Sequence, residues 1–352
     1  MRWLPLVATA MAILAGACGE DACDPAAEAC TIEGVVSTIE IAAGVEDEDT
    51  CQSWTLNNPT ELWVNGITQR NDGAYHHANW FFVPDNLFNF PDGTWSCSQA
   101  EFSELTAALL GGYLFALSTQ SLEESQALPT GSAIRIPPFS RVIGSSHFLN
   151  GSDATIKTSM RLALHTLPRA QVTARMAPAR ITYHDLHLDA AKRSSFTTEC
   201  LIDDAHLQRV GAPLQYELHY VLSHYHQLGT YTRVEIAGGP RDGEVLAEHL
   251  GYGENFGQPV PFVDLGQINA RGLRFTCGFQ NPRDVSVGWG VGDQEMCVVA
   301  LQARTNLAFD GFVSDGTSAQ VGVSPDGEVQ YQGTCSLNAF PWDFDKGGGP
   351  PR

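Results

Sequence analysis

Short apolar runs separated by turn-forming residues are the sequence feature that most constrains this fold. The runs recur along the chain, and clusters of Gly, Pro, Asn and Asp lie between them. Runs of this kind, bounded by turn signals, are typical of strands joined by tight turns. The pattern predicts an all-β protein of β-sandwich type, with strands at residues 62–64, 79–83, 133–136, 142–143, 216–222, 232–236, 273–275, 298–301 and 321–323.

The length of 352 residues suits two domains rather than one. Pro168 and Pro178 bracket a basic, weakly patterned stretch, so we expect one domain at residues 35–172 and a second at 173–340. Residues 98–117 are the best candidate for a short helix, because Ser98 and Glu101 have the spacing of a capping box. We expect residues 341–352 to be a flexible tail.

The N-terminus has the parts of an export signal. The predicted signal peptide, residues 1–17, has a positive start and an apolar run too short to span a bilayer as a helix. It ends like a bacterial lipobox, with Cys18 as the lipidated residue, and the acidic residues 18–34 follow as a tether. Ala15 replaces the larger aliphatic residue that is commoner there, so simple cleavage is the alternative. We expect a protein anchored by Cys18 on the periplasmic or cell-surface side, or a secreted one.

Export makes disulfides the expected state of the cysteines. The chain has nine cysteines, and eight remain once Cys18 is set aside as the anchor. Their spacing contains no CxxC pair of the kind that binds structural zinc. Cys23 and Cys30 lie together in the tether and are expected to pair, although the sequence leaves this pairing open.

The net charge of −20 excludes nucleic acid as an expected partner, because nucleic-acid binding needs clustered Lys and Arg. An acidic balance of this size indicates a solubilising surface. We expect a monomer that contacts a membrane only through Cys18.

Five histidines and one methionine are the candidate metal ligands: His76, His77, His147, His224, His226 and Met296. Imidazole binds both oxidation states of copper, while a thioether favours Cu(I), so the set indicates two copper sites with different duties. In a strand, His224 and His226 would point to one face, whereas the adjacent His76 and His77 need a bulge or loop.

Each of these motifs taken alone is more often structural than metal-binding. The remaining histidines have no comparable partners, and we assign them to surface or structural roles: His165, His184, His187, His206, His219 and His249.

Together, and in this order, the segments resemble the copper type II, ascorbate-dependent monooxygenases, which include peptidylglycine α-hydroxylating monooxygenase and dopamine β-monooxygenase. The resemblance covers most of residues 45–340 and rests on sequence segments that are individually short. They are His76-His77 with Asn79-Trp80-Phe81, Ser146-His147-Phe148-Leu149-Asn150, His224-Tyr225-His226-Gln227-Leu228-Gly229, Gly290, and Glu295-Met296-Cys297 with Cys277.

The resemblance implies two tandem antiparallel β-sandwiches of jelly-roll type. It implies that His76, His77 and His147 hold an electron-storing copper, and that His224, His226 and Met296 hold the catalytic copper that activates dioxygen. The cofactors are then two copper ions per chain, with ascorbate as reductant. The partners are a small organic substrate, dioxygen and an electron donor. The implied disulfides are Cys51–Cys97, Cys200–Cys335 and Cys277–Cys297.

One departure from the family bears on the substrate. The peptide-amidating branch has an arginine where this chain has Leu222, and polar residues where it has Val298 and Ala300. A glycine-extended peptide is therefore not expected, and the replacement pocket favours a neutral or aromatic molecule. Two other hypotheses remain: a non-catalytic copper-binding or storage lipoprotein, and a β-sandwich adhesion or ligand-binding protein whose histidines are coincidental.

Overall fold

A computed structural model describes residues 23–35, 38–88, 90–117, 121–211, 213–253, 256–290 and 292–341. These residues are nearly all strand and turn, so the all-β prediction is confirmed. The predicted signal peptide, the predicted lipid-anchor residue Cys18 and residues 342–352 of the predicted tail lie outside the described residues. Within the described ranges, no helix has the length and apolar character needed to cross a bilayer.

The first half of the chain forms two facing sheets. Its elements are β1 (Cys30–Val35), β2 (Ile39–Ile41), β3 (Glu46–Thr55), β4 (Leu62–Asn71), β5 (Tyr75–Pro84), β6 (Gly93–Ser96), α1 (Glu104–Leu110), β7 (Gly112–Leu117), β8 (Glu123–Ala127), β9 (Ser132–Ile136), β10 (Ser140–Leu149), β11 (Ile156–Thr158), β12 (Met160–Thr166) and β13 (Ala174–Arg175). One sheet has the strand order β1-β12-β4-β9-β13, with β8 beside β4; the other has the order β6-β3-β10-β5-β7, and β2 pairs with β11.

The second half repeats this architecture. Its elements are β14 (Ala177–Tyr183), β15 (His187–Leu188), β16 (Lys192–Cys200), α2 (Ile202–Val210), β17 (Tyr216–His224), β18 (Gly229–Ala237), β19 (Val245–Leu250), β20 (Gly257–Asp264), β21 (Gly272–Asn281), β22 (Val287–Gly288), β23 (Val298–Thr305), β24 (Leu307–Val313), β25 (Ser318–Val323), β26 (Val329–Thr334) and β27 (Ser336–Pro341). They form two six-stranded sheets, ordered β20-β17-β23-β14-β24-β27 and β19-β18-β21-β16-β26-β25.

The strand pairing is mostly antiparallel, as expected, but not entirely. The pairs β9–β13, β14–β24 and β16–β26 run parallel. The chain passes from the first half to the second at Met176. Strand β13, just before it, pairs within a sheet of the first half, and β14, just after it, pairs within a sheet of the second. Each half has its own large apolar core, centred on buried aromatic residues such as Trp80 and Phe148 in the first and Phe196 and Phe275 in the second.

One local prediction was wrong, and a second was right only in part. Residues 30–34 of the predicted tether are part of β1, because their backbone groups pair with β12 in register from Cys30 opposite Thr166. The predicted helix at 98–117 is only α1, which begins after Ser103 rather than Ser98. The Ser103 hydroxyl accepts a hydrogen bond from the Thr106 N–H, and residues 112–117 extend as β7.

Four disulfides link cysteines within the described ranges. Cys51–Cys97, Cys200–Cys335 and Cys277–Cys297 agree with the pairings implied by the family resemblance, and Cys23 pairs with Cys30. Disulfides persist in oxidising compartments, so they indicate an exported protein.

Candidate metal centre

A β-bulge in β5 turns two adjacent histidines toward one point. His77 lies opposite His147 on β10, but the next pair is Tyr75 opposite Phe148, so His76 is the extra residue. In an unbroken strand His76 and His77 would face opposite sides of the sheet. The bulge instead brings the three rings together, with centroid distances of 5.1 Å for His76–His77, 5.0 Å for His76–His147 and 4.6 Å for His77–His147.

The second triplet lies where β17 ends. His224 is the last residue of β17, whereas His226 lies in the turn before β18, not in a strand as expected. Their ring centroids are 5.3 Å apart, and the Met296 sulfur lies 3.3 Å from His224 Nε2. The turn therefore brings the imidazoles of His224 and His226 together, which the alternation of side chains along a strand was expected to do.

A buried carboxylate connects the two segments of this second triplet. Glu295 is 1% exposed, and its two oxygens accept hydrogen bonds from the backbone N–H groups of His226 (2.8 Å) and Leu228 (2.7 Å). Burial raises the pKa of Glu295 to about 7, against the lowering effect of these N–H donors. Because Met296 is the next residue, Glu295 fixes the methionine relative to the His224–His226 turn.

The two triplets meet between the sandwiches. Ring centroids are 5.3 Å apart for His76–His226 and 5.4 Å for His77–His224. His77 belongs to two groups that could each hold a metal ion, one with His76 and His147 and one with His224 and His226. All six predicted ligands are thus brought together, and we call the five imidazoles the histidine cluster.

Buried nitrogens of the histidine cluster that find no hydrogen-bond partner among the described residues include His77 Nδ1, His147 Nδ1 and His226 Nε2. The other nitrogens of two of these rings are engaged. His147 Nε2 lies 3.0 Å from a Glu46 carboxylate oxygen, and His226 Nδ1 lies 2.8 Å from the Gln294 carbonyl oxygen. Buried polar atoms are normally satisfied, so unsatisfied lone pairs that converge in one place fit a metal ion.

The surroundings lower the pKa of three imidazoles of the cluster. Burial, with smaller contributions from positive charge on His226 and His147, lowers the pKa of His76 to about 4. Burial also lowers the pKa of His77 well below its usual value, and that of His226 in the same direction. Neutral imidazole is the form that binds metals, so at pH 7 these rings are ready to act as ligands.

A cavity of about 280 Å³ opens beside the cluster, lined by residues of both sandwiches. His77, His224 and Met296 form part of its wall. Leu222, Val298 and Ala300, the three positions where the sequence departs from the peptide-amidating branch, line it too. The remaining wall combines small aliphatic residues with aromatic rings from Phe81, Tyr113, Trp289, Phe309 and Phe340, and polar groups from Asn79, Glu104, Arg180, His184 and Asp310.

Sequence reasoning missed three residues of this region. Glu46 and Glu295 contact candidate ligands that lie far away in sequence, and no local motif signals such contacts. His184, assigned to a structural role, lines the cavity with its ring centroid 4.4 Å from that of Trp289. The other assigned histidines make ordinary contacts, as His165 does with Thr31 and Thr68.

No family model matches the chain, and neither does any curated protein. Among solved structures, it is similar to PNGase F, a glycosylasparaginase from Flavobacterium meningosepticum, with 8% identity, a TM-score of 0.29, and coverage of 86% of this chain and 99% of that one. It is also similar to the major capsid protein P2 of bacteriophage PM2, with 9% identity, a TM-score of 0.26, and coverage of 78% and 98%. Similarity this low carries no argument about function.

Proposed function

We propose that this protein is a copper-dependent monooxygenase that hydroxylates a C–H bond of a small organic substrate, using dioxygen and a reductant such as ascorbate. The observation that carries the proposal is the cavity whose wall includes His77, His224 and Met296. A substrate in this cavity would lie against candidate ligands of both metal sites. A copper store needs the ligands but has no use for such a cavity, so the cavity favours an enzyme.

The donor set fits two copper ions. His76, His77 and His147 would hold one, and His224, His226 and Met296 the other, where the softer sulfur favours Cu(I). The unsatisfied nitrogens are consistent with His77 and His147 binding through Nδ1 and His226 through Nε2. Bound copper would supply the one-electron redox chemistry that dioxygen requires.

The protein's own residues would prepare the site for this chemistry. The hydrogen bond from His226 Nδ1 to the Gln294 carbonyl leaves Nε2 unprotonated toward the cluster. Glu295 holds the turn and the methionine at a fixed separation. The apolar side chains around Leu222 would shield the reacting C–H bond from water and favour neutral or aromatic molecules.

The decisive experiment is a screen of small aromatic and aliphatic substrates, monitored by ascorbate-dependent oxygen consumption with copper-loaded protein. Oxygen uptake matched by a hydroxylated product supports the proposal. Two bound copper ions per chain without any coupled product would identify a copper-storage protein instead. A chain that retains no copper after reconstitution would leave only a ligand-binding or adhesive role.

We further propose that Cys18 carries a lipid anchor. The sequence around it resembles a lipobox, and the disulfides fit an exported protein. Labelling cells with a fatty-acid analogue should mark the wild-type protein but not a Cys18→Ser variant. An unlabelled wild type found in the soluble fraction would favour simple signal cleavage.

A further inference from the structure

Glu46 connects the two halves of the candidate metal centre. It is the first residue of β3, and β3 pairs with β10, which carries His147. Its Oε1 lies 3.0 Å from His147 Nε2, while the buried His147 Nδ1 has no hydrogen-bond partner in the part of the chain that the structure describes. His147 is 4% exposed and Glu46 is 38% exposed, so the carboxylate approaches the ring from the solvent side.

This hydrogen bond determines which imidazole nitrogen is available to a metal. A carboxylate oxygen only accepts, so the proton of neutral His147 lies on Nε2. Nδ1 is then unprotonated, and it belongs to the ring whose centroid lies 4.6 Å from that of His77. Carboxylates that orient a ligating histidine in this way also raise its basicity as a ligand.

The same carboxylate lies against the other sandwich. Gly292 precedes Met296 by four residues and has a φ of +62°. A Cβ added at Gly292 would lie 2.9 Å from Glu46 Oε1 and 3.2 Å from Oε2, closer than ordinary contacts allow. Glycine at this position therefore lets the loop that carries Met296 pack directly on the Glu46 carboxylate.

We propose that Glu46 is a positioning residue for both metal sites, which orients His147 and supports the loop that carries Met296. The inference rests on the metal-binding roles proposed above for His147 and Met296. Glu48 provides a matched control, because its Oε1 is 4.0 Å from the same nitrogen and its side chain is 56% exposed.

The first test is made on copper-free protein. Imidazole ¹⁵N chemical shifts report which nitrogen carries the proton, and the wild type should show His147 protonated at Nε2 alone. Glu46→Ala should produce a mixture of the two tautomers, whereas Glu48→Ala should not. An unchanged His147 tautomer in the Glu46 variant overturns the orienting role, and this result does not depend on copper binding or turnover.

The second test measures copper affinity. Cu(II) affinity of the all-histidine site should fall by about 10–100-fold in Glu46→Ala, the usual effect of losing a partner of a metal ligand, and by less in the isosteric Glu46→Gln. Glu48→Gln should leave this affinity within a factor of about three. Equal effects of the Glu46 and Glu48 substitutions would overturn the proposal.

The third test is a double-mutant cycle between the two sandwiches. Gly292→Ala should weaken Cu(I) binding at the methionine site, and should weaken it less in a Glu46→Ala background, where the clash is absent and only the backbone strain remains. Additive effects would overturn the contact between Glu46 and the loop. A protein that passes these tests but consumes no oxygen would contradict the monooxygenase proposal and leave this one standing.

Discussion

His77 on β5 lies directly opposite His147 on β10, and the centroids of the two imidazole rings are 4.6 Å apart. The same His77 ring lies 5.4 Å from the ring of His224 in the other sandwich. The His77 side chain thus contacts candidate ligands of both metal sites, and the two sites lie next to each other in one cluster of imidazoles. Removing this ring should affect both sites, a consequence that can be measured.

The first prediction concerns copper content. His77→Ala should reduce the copper bound per chain and also weaken the copper that remains, because His77 contacts ligands of both triplets. The matched control is His165→Ala, since His165 makes hydrogen bonds with threonines instead of other histidines. Atomic absorption after dialysis measures the content. Loss of copper from the His165 variant would mean that the ligands are misassigned.

A second prediction separates the roles of the two sites. Met296→Leu keeps an apolar side chain of similar volume but removes the sulfur, so hydroxylation should be lost while the all-histidine site still takes copper. Met176→Leu, a buried methionine between β13 and β14, is the control and should retain full activity. Unchanged turnover in the Met296 variant would exclude sulfur ligation.

The Cys277–Cys297 disulfide should stabilise the methionine loop as well as the fold. It joins β21 to the residue after Met296 across 20 positions. Replacing both cysteines with serine should lower the free energy of unfolding by about 3 kcal/mol and weaken Cu(I) binding. The Cys23–Cys30 disulfide joins the start of β1 to the preceding turn, and replacing both of its cysteines with serine should leave Cu(I) binding intact. Urea unfolding and chelator competition provide the two measurements.

Acidification should destabilise the contact between the sandwiches at His219. This buried ring lies 2.9 Å from the Ser132 hydroxyl of β9, and burial, with a smaller effect of Arg304, lowers its pKa. The unfolded chain therefore takes up the proton first, so the free energy of unfolding falls as pH drops below about 6.5, by at most about 1.4 kcal/mol per pH unit.

His219→Gln should reduce this pH dependence in copper-free protein, whereas the exposed His187→Gln should not. Urea unfolding at several pH values between about 5 and 7.5 measures the slope. Equal slopes for the two variants would show that His219 does not contribute.

The fold class could be predicted from the sequence because it depends on local signals, and the six candidate ligands could be chosen by their chemistry. Turn-forming clusters delimit strands, and the chemistry of imidazole and thioether identifies candidate ligands wherever they lie. The bulge at His76 could be anticipated for the same reason, since adjacent histidines cannot otherwise face one metal.

The supporting carboxylates could not be predicted, because their contacts depend on tertiary packing. Glu46 reaches a histidine 101 positions away, and Glu295 reaches a backbone N–H 69 positions away. The start of helix α1 was predicted wrongly for a related reason. Ser98 has a cap-like spacing, but it hydrogen-bonds instead with Asp49 on β3, and Ser103 becomes the cap.

The last prediction concerns Glu295, whose two oxygens accept the N–H groups of His226 and Leu228. Glu295→Gln keeps the shape but replaces one acceptor with an NH₂ group, so one buried N–H would face a donor. We expect the free energy of unfolding to fall by about 1–3 kcal/mol, and Cu(I) affinity at the methionine site to fall with it.

Glu328→Gln, at another buried carboxylate that precedes β26, is the control and should leave Cu(I) affinity unchanged. Competition with a Cu(I) chelator measures the affinity. A Glu295 variant that binds Cu(I) like the wild type would show that this carboxylate stabilises the turn without positioning the ligands.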